Sequence, residues 1–145
     1  NLSAAQSHEG KNIKHDISVP ISRIGEFIDT ASRQIRQAYP EARLIVFGHL
    51  GDGNLHFNVA PHARFAQHYD EAFARDEAQV NRLVHDLVAA YEGAISAEHG
   101  IGVLRQTELV RYKQPLELQM MRAIKQALDP QDRMNPGKLL PTPHT

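Results

Sequence analysis

Hydrophobic and polar residues alternate along three short stretches of the chain. The first stretch is 13–19, and the other two, 42–50 and 54–60, flank the pair Asp52-Gly53. Side chains along a strand point alternately to its two faces, so each alternation predicts a β-strand with one apolar and one polar face. Together the three stretches predict a sheet that covers a core on one side only.

The pair Asp52-Gly53 is typical of a two-residue type I′ hairpin turn, which needs positive φ at both central residues. Counting outward from this turn pairs His49 with His56, whose Cβ atoms would lie about 5 Å apart. The polar face of the hairpin then holds two imidazoles side by side. The residues predicted on that face are Phe47, His49, His56 and Asn58, and those on the apolar face are Val46, Leu50, Leu55, Phe57 and Val59.

Apolar residues recur with a helical period between and after these strands. Ser22 is expected to cap the first helix, and Pro115 suits the first turn of the last one. The predicted helices are residues 22–39, 71–95, 104–112 and 115–128, the last with an apolar stripe of Leu118, Met121, Ile124 and Leu128.

The order of elements is strand, helix, strand, strand, helix, followed by further helices. This order predicts an α+β fold: a ferredoxin-like antiparallel sheet with helices on one face, plus C-terminal helices. The second face of the sheet would be free to cover a site or another domain.

Composition limits the classes of protein that fit. With 145 residues, of which 41% are hydrophobic, the chain is expected to form one globular domain. Its net charge of −1 gives no electrostatic case for binding nucleic acid or an anionic membrane. The absence of cysteine excludes disulfides and thiolate metal sites. We expect no transmembrane span and no signal peptide, and the start at Asn1 without methionine leads us to expect a piece of a longer protein.

The histidine pair is the first candidate for chemistry. Two imidazoles at cross-strand distance suit Zn²⁺ or a similar divalent ion, although nine histidines in the chain make a chance surface pair equally plausible. Glu98 and His99 are the second candidate, because Gly100 and Gly102 after them let the backbone approach a ligand closely. A carboxylate from Glu98 would complete a His, His, Glu set with one coordination position left for substrate. The alternative is a solvated helix C-terminus.

Other polar residues have simpler explanations from the sequence alone. Lys14 lies on the polar side of its strand and can bind a substrate carboxylate, although a solvated lysine is the commoner case. His15 lies on the apolar side and is expected to be a packed, hydrogen-bonded core residue. Asp52, Asn54 and Asn135 are expected to be turn formers.

Four segments, taken in order along the chain, resemble the C-terminal domain of FAD-linked oxidases. These are the flavin-dependent D-2-hydroxyacid dehydrogenases, which act on lactate, glycolate or 2-hydroxyglutarate. The resemblance implies that residues 1–145 form the substrate- and metal-binding domain, with an FAD-binding domain that precedes it and is absent from this chain. The segments that carry the resemblance are 13–20, 48–56, 96–102 and 135–138.

The resemblance also implies roles for individual residues. The substrate would bind a divalent metal, expected to be zinc, and its hydroxyl proton would pass to a histidine base while a hydride passes to FAD. The implied metal ligands are His49, His56 and Glu98. The implied base is His99, which would also lie near the cofactor, and the residue near the flavin is Asn135. The implied substrate-binding residues are Lys14, Asn58 and Ser3.

Two other functions are compatible with the residues themselves. One is a small metal-dependent hydrolase that uses His49, His56 and Glu98 to hold a metal-bound water, and the other is a non-catalytic binding module. For the oxidase domain, the expected partners are a 2-hydroxyacid, the FAD-binding domain of the same full-length chain and an unknown electron acceptor. Self-association into a homo-oligomer is a further hypothesis. The expected location is the cytoplasm or the periphery of the inner membrane.

Overall fold

A three-stranded antiparallel sheet and four α-helices make up the computed structural model, which describes residues 12–61 and 75–141. The predicted α+β class is confirmed. A short 3-10 helix, Ile21–Arg23, precedes the first α-helix. The strands are β1 (Ile13–Ser18), β2 (Arg43–His49) and β3 (Asn54–Ala60), and the helices are α1 (Ile24–Ala38), α2 (Glu77–Ala90), α3 (Gln106–Tyr112) and α4 (Pro115–Leu128).

The strands follow the order β1-β3-β2, and β3 is antiparallel to both neighbours. Beyond the other edge of β1, Ala94 forms an antiparallel bridge with Ser18. The Ala97 N–H donates to the Asp16 carbonyl at 3.2 Å, so residues 94–97 run along that edge. This is the position of the last strand in a βαββαβ sheet.

The core lies between the apolar face of the sheet and helices α1 and α2. Phe27 of α1 and Phe57 of β3 are fully buried, and their rings meet edge to face at 6.0 Å. Burial of a side chain of this size stabilises the fold by about 1.5–3 kcal/mol. His15 is also buried, and its Nδ1 lies 2.7 Å from the Phe57 carbonyl oxygen, which confirms the prediction of a packed, hydrogen-bonded histidine.

The hairpin between β2 and β3 has a longer loop than the sequence predicts. His49 pairs with Asn54, and Phe47 pairs with His56, so the predicted direct pairing of His49 with His56 is wrong. The physical reason is the turn: Gly53 has φ of +77°, whereas Asp52 is not in the left-handed region, so a type I′ turn does not form. The Asp52 carboxylate instead accepts the Asn54 N–H at 3.1 Å, the side-chain turn expected of Asp.

This slip of two residues keeps the two faces of the hairpin as predicted, because side chains repeat every two residues. The exception is Leu50, which lies in the loop and is 68% exposed instead of joining the apolar face.

Two predicted helix ends also differ from the structure. Ser22 does not cap α1, because Pro20 starts a 3-10 turn at Ile21 and the α-helix begins two residues after Ser22. Helix α2 ends at Ala90 rather than near residue 95. There the chain must turn to reach the edge of β1, and a side chain at Gly93 would overlap the Ser18 carbonyl. The predicted beginning of this helix at residues 71–74 lies outside the described residues.

The chain divides into two compact units, Asn1–Glu98 and His99–Thr145. The first contains the sheet with α1 and α2, and the second contains α3 and α4. In the second unit the Leu139 N–H donates to the Gly102 carbonyl at 3.1 Å. None of the helices within residues 12–61 and 75–141 has the length and hydrophobicity needed to cross a bilayer.

Candidate functional site

The face of the sheet opposite the core carries most of its polar side chains. Because the strands pair in register, the side chains of this face, polar and apolar, form three rows across β1, β3 and β2. The rows are Lys14–Asn58–Ile45, Asp16–His56–Phe47 and Ser18–Asn54–His49.

One corner of this face brings together three side chains from distant parts of the sequence. The Nδ1 atom of His49 lies 3.4 Å from Oε1 of Glu98. The Asn54 amide donates to the same Glu98 oxygen. Asn54 is only 3% exposed, and its own Oδ1 accepts no hydrogen bond from the described part of the protein. A buried acceptor in this position is available to a ligand that brings a donor or a positive charge.

His56 does not join this corner. Its ring lies over the Phe47 ring, with centroids 4.9 Å apart and planes inclined by 31°. With the observed register, His49 and His56 are diagonal neighbours, for which Cα separations of about 7–8 Å are usual. Within residues 12–61 and 75–141, no group of three His, Asp or Glu side chains is arranged to hold a metal ion. The donor set of His49, His56 and Glu98 therefore does not fit a metal as it stands, since only two of the three side chains meet.

Asp16 ties the segment that carries Glu98 to the sheet. It lies in the middle row of the polar face and is 3% exposed. Its Oδ2 accepts the Glu98 backbone N–H at 3.0 Å and lies 3.5 Å from the Ser96 hydroxyl, which donates to it. A buried carboxylate is tolerated where such hydrogen bonds replace water.

Lys14 and Asn58 are cross-strand neighbours on the same face, as predicted. Asn58 is buried, whereas Lys14 is exposed. An ammonium group and an amide held side by side can together bind a carboxylate. Ser3, the third predicted substrate-binding residue, lies outside the described residues.

His99 and Asn135 belong to the second unit. Next to His99, Gly100 and Gly102 have φ of +75° and +60°, conformations that favour glycine. Asn135 has φ of +50°, and its carbonyl accepts the Lys138 N–H at 3.2 Å, so the predicted turn is confirmed.

Asn135 also lines a groove of about 820 Å³ in this second unit. Apolar side chains with a few polar groups among them are typical of small-molecule and cofactor sites. A groove with this lining can hold a small molecule or part of a cofactor. The apolar lining comes mainly from Met121, Ile124, Leu128, Met134, Leu139 and Leu140.

Two residues of the first-unit site were not identified from the sequence as functional. Asn54 was expected to be only a turn former, but its amide contacts Glu98. Asp16 was not singled out at all, although the alternation along β1 already placed it on the side of Lys14. The sequence could have identified Asp16 because it is polar and lies two residues from Lys14, on the same face of the strand.

The fold and the site define an α+β domain whose sheet carries a polar, histidine-containing face. Comparison with known proteins gives the family: the chain matches the C-terminal domain of FAD-linked oxidases over residues 1–139, and it belongs to that family.

Individual relatives share substantial identity with this chain. It is 39% identical over 126 residues to the D-2-hydroxyglutarate dehydrogenase of Stutzerimonas stutzeri and 40% identical over 129 residues to that of Xanthomonas citri, which covers 87% and 89% of the chain. The mitochondrial D-2-hydroxyglutarate dehydrogenase of Bos taurus is 36% identical over 143 residues, or 97% of the chain. The matched regions make up 26%, 27% and 24% of these three relatives, so the chain spans about a quarter of their length.

Proposed function

We propose that this chain is the substrate-binding domain of an FAD-dependent dehydrogenase that oxidises D-2-hydroxyglutarate, or a closely related D-2-hydroxyacid, to the 2-oxoacid. Membership of the FAD-linked oxidase family and the names of the relatives support the reaction and the substrate. The proposal includes a preceding FAD-binding domain, and we refer to the longer protein as the full-length enzyme. Family membership argues against the metal-dependent hydrolase and the non-catalytic module.

The observation that carries the proposal is the pairing of Lys14 with Asn58 on the polar face of the sheet. A 2-hydroxyacid is recognised chiefly through its carboxylate, and 2-hydroxyglutarate has a second one. An ammonium group attracts either carboxylate as a point charge, and the neighbouring amide adds a directional hydrogen bond. In this proposal Lys14, Asn58 and Ser3 bind the substrate.

Oxidation removes the hydroxyl proton and, from the same carbon's C–H bond, a hydride. FAD, when bound, accepts the hydride and its two electrons. We assign the hydroxyl proton to His99, because a neutral imidazole has a nitrogen lone pair that can accept it. Asn135 would contact the flavin from this domain, and the remaining contacts with the cofactor would come from the preceding domain.

The divalent metal is a separate part of the proposal. The contact between His49 and Glu98 supports it, and the position of His56 against Phe47 does not. No step of the reaction above depends on the metal. Zn²⁺ is the ion that two imidazoles and a carboxylate suit best.

The test is to measure turnover and metal content in the same preparations of the full-length enzyme. D-2-hydroxyglutarate is the substrate and a redox dye the electron acceptor, with wild type, His49→Ala and His99→Ala compared. We expect His99→Ala to lower turnover strongly and leave metal content nearly unchanged. His49→Ala is expected to lose the metal.

Each outcome decides a different part of the proposal. If none of the hydroxyacids tested, glycolate and D-lactate included, lets the wild-type enzyme reduce the dye, the dehydrogenase assignment is refuted. Full turnover by His99→Ala would remove His99 as the base. Stoichiometric metal in wild type and in His49→Ala alike would exclude His49 as a ligand, and an active wild type without metal would remove the metal from the proposal.

A further inference from the structure

Asp16 is a buried acidic residue to which the proposed reaction gives no role. It lies at the centre of the polar face of the sheet, with Lys14 and Ser18 on the same side of its strand. It is buried, and its Oδ2 is already hydrogen-bonded within the protein, so we assign it no contact with the substrate. What it contacts is instead the backbone of the segment that carries Glu98.

Two hydrogen bonds fix that segment to Asp16, one to its side chain and one to its backbone carbonyl. The Asp16 side chain accepts the Glu98 N–H at 3.0 Å, and the Asp16 backbone carbonyl accepts the Ala97 N–H at 3.2 Å. The backbone bond needs no particular side chain, so it would persist in any variant of Asp16. The bond to the Glu98 N–H needs an acceptor at this position, and a carboxylate forms stronger hydrogen bonds than a neutral acceptor.

The Glu98 side chain then extends from this fixed backbone to the opposite part of the polar face. Its Oε1 contacts His49 of β2 and the amide of Asn54 of β3. The Glu98 side chain is itself 43% exposed, so packing holds it only in part. Its position therefore depends on where its own backbone is held, and Asp16 provides the side-chain hydrogen bond at that backbone.

We propose that Asp16 is a positioning residue that holds the backbone of Glu98 so that its carboxylate meets His49 and Asn54. This inference rests on the proposed function, in which the polar face that Glu98 contacts binds the substrate. Positioning partners of this kind commonly contribute roughly 10- to 100-fold to activity or ligand affinity.

The first measurement is hydrogen–deuterium exchange at the Glu98 amide in the full-length protein, read by mass spectrometry with fragmentation to single residues. Asp16→Ala should accelerate exchange at Glu98 more than at Ala97, because only the Glu98 N–H loses its acceptor. Val84→Ala is the control, since it removes buried volume from α2 in the same unit and loosens the fold from the other side of the sheet. Exchange at Glu98 that is unchanged in Asp16→Ala, or equally fast in Val84→Ala, would overturn the proposal.

The second measurement is kcat/KM, in a cycle that includes Glu98→Gln. Asp16→Ala should lower kcat/KM roughly 10- to 100-fold. In the Glu98→Gln background, Asp16→Ala should lower kcat/KM by less than a further factor of about two, because Asp16 acts through Glu98. Asp16→Asn should retain most of the activity, since its amide oxygen still accepts the Glu98 N–H. Additive losses, or an Asn variant as impaired as the Ala variant, would contradict the positioning role.

The two measurements separate the two hypotheses. If the wild-type protein oxidises no D-2-hydroxyacid, the proposed function fails, and the exchange rate at Glu98 still decides whether Asp16 holds this segment. If Asp16→Ala does not fold, Asp16→Asn in the same two measurements decides it, through protection at Glu98 and retained kcat/KM.

Discussion

Asp129 shows how one carboxylate can organise a turn after a helix. It follows α4 and is 7% exposed. Its side chain accepts hydrogen bonds from Lys125 and from the backbone N–H groups of Arg133 and Met134, at 2.9 and 2.8 Å for the latter two. The bond from Lys125, followed by those two backbone bonds, lowers the pKa of Asp129 from 3.8 to about 2.

This lowered pKa predicts an acid-sensitive contribution to stability. Because the folded protein prefers the ionised carboxylate, its contribution is present above the unfolded pKa of 3.8 and is lost as pH falls toward 2. We expect Asp129→Asn to lower the melting temperature at pH 7, and we expect the difference from wild type to shrink between pH 4 and pH 2.

The control is Asp29→Asn, the same chemical change at an exposed position of α1. It should change the melting temperature little at either pH. Melting curves followed by circular dichroism across this pH range give the comparison. A difference between wild type and Asp129→Asn that stays constant down to pH 2 would show that the charge of Asp129 contributes nothing.

At the scale of an element, the alternation of hydrophobic and polar residues predicted the two faces of the β2–β3 hairpin but not the length of its loop. The alternation identified which residues share a face, because a period of two survives a shift of two residues. The loop length depended on whether Asp52 adopts positive φ, and its side-chain bond to the Asn54 N–H removes that need. The hydrophobic pattern does not predict a local hydrogen bond of this kind.

The same turn gives a prediction about two glycines. Gly53 has φ of +77°, and a Cβ atom there would overlap the Val19 carbonyl, whereas Gly51 has open space around it. A non-glycine residue held in the left-handed region costs about 1–3 kcal/mol, and the overlap adds to this cost. We therefore expect Gly53→Ala to lower the free energy of unfolding by at least about 1 kcal/mol.

Gly51→Ala is the matched control, because it is the same substitution two residues away in the same loop. It should leave the free energy of unfolding nearly unchanged. Urea denaturation of the two variants and wild type measures both values. Equal stability of the two variants would contradict the role assigned to the Gly53 conformation.

At the scale of the whole molecule, the sequence predicted the fold class and the faces on which candidate residues lie, but not which of their side chains meet. The α+β order followed from periodicity, and the faces of Lys14, His49 and Asn58 followed from alternation. The contact of Glu98 with His49 spans 49 positions of the sequence, and periodicity carries no information about such pairs. The glycines after Glu98 made it a candidate and the resemblance to a family implied its role, but only the structure revealed its link to Asp16.

The predicted apolar stripe of α4 illustrates the same limit. Leu118 is buried as expected, but Ile124 and Leu128 are 59% and 74% exposed. Periodicity identifies an apolar face but does not say what covers it. Together with Leu116 and Met120, which are also exposed, these residues recur at every fourth position and so lie along one side of the helix.

This exposed side of α4 is the basis for predicting that the isolated 145-residue chain self-associates. Exposed apolar patches promote association, and their burial is worth about 25 cal/mol per Å². The polar face of the sheet is a weaker candidate, because Lys14 and His56 would lose water there. We therefore expect a second copy of the chain to cover α4, with a sedimentation coefficient that rises with concentration.

The variant that tests this is Ile124→Lys, which places a charge in the middle of the stripe. Its control is Gln119→Lys, which adds the same charge at an exposed position on another side of the same helix. Ile124→Lys should shift the association to higher concentration, because a buried ammonium group loses its hydration, and Gln119→Lys should sediment like wild type. A wild-type chain that sediments as a monomer at every concentration, or equal behaviour of the two lysine variants, would exclude α4 as the association surface.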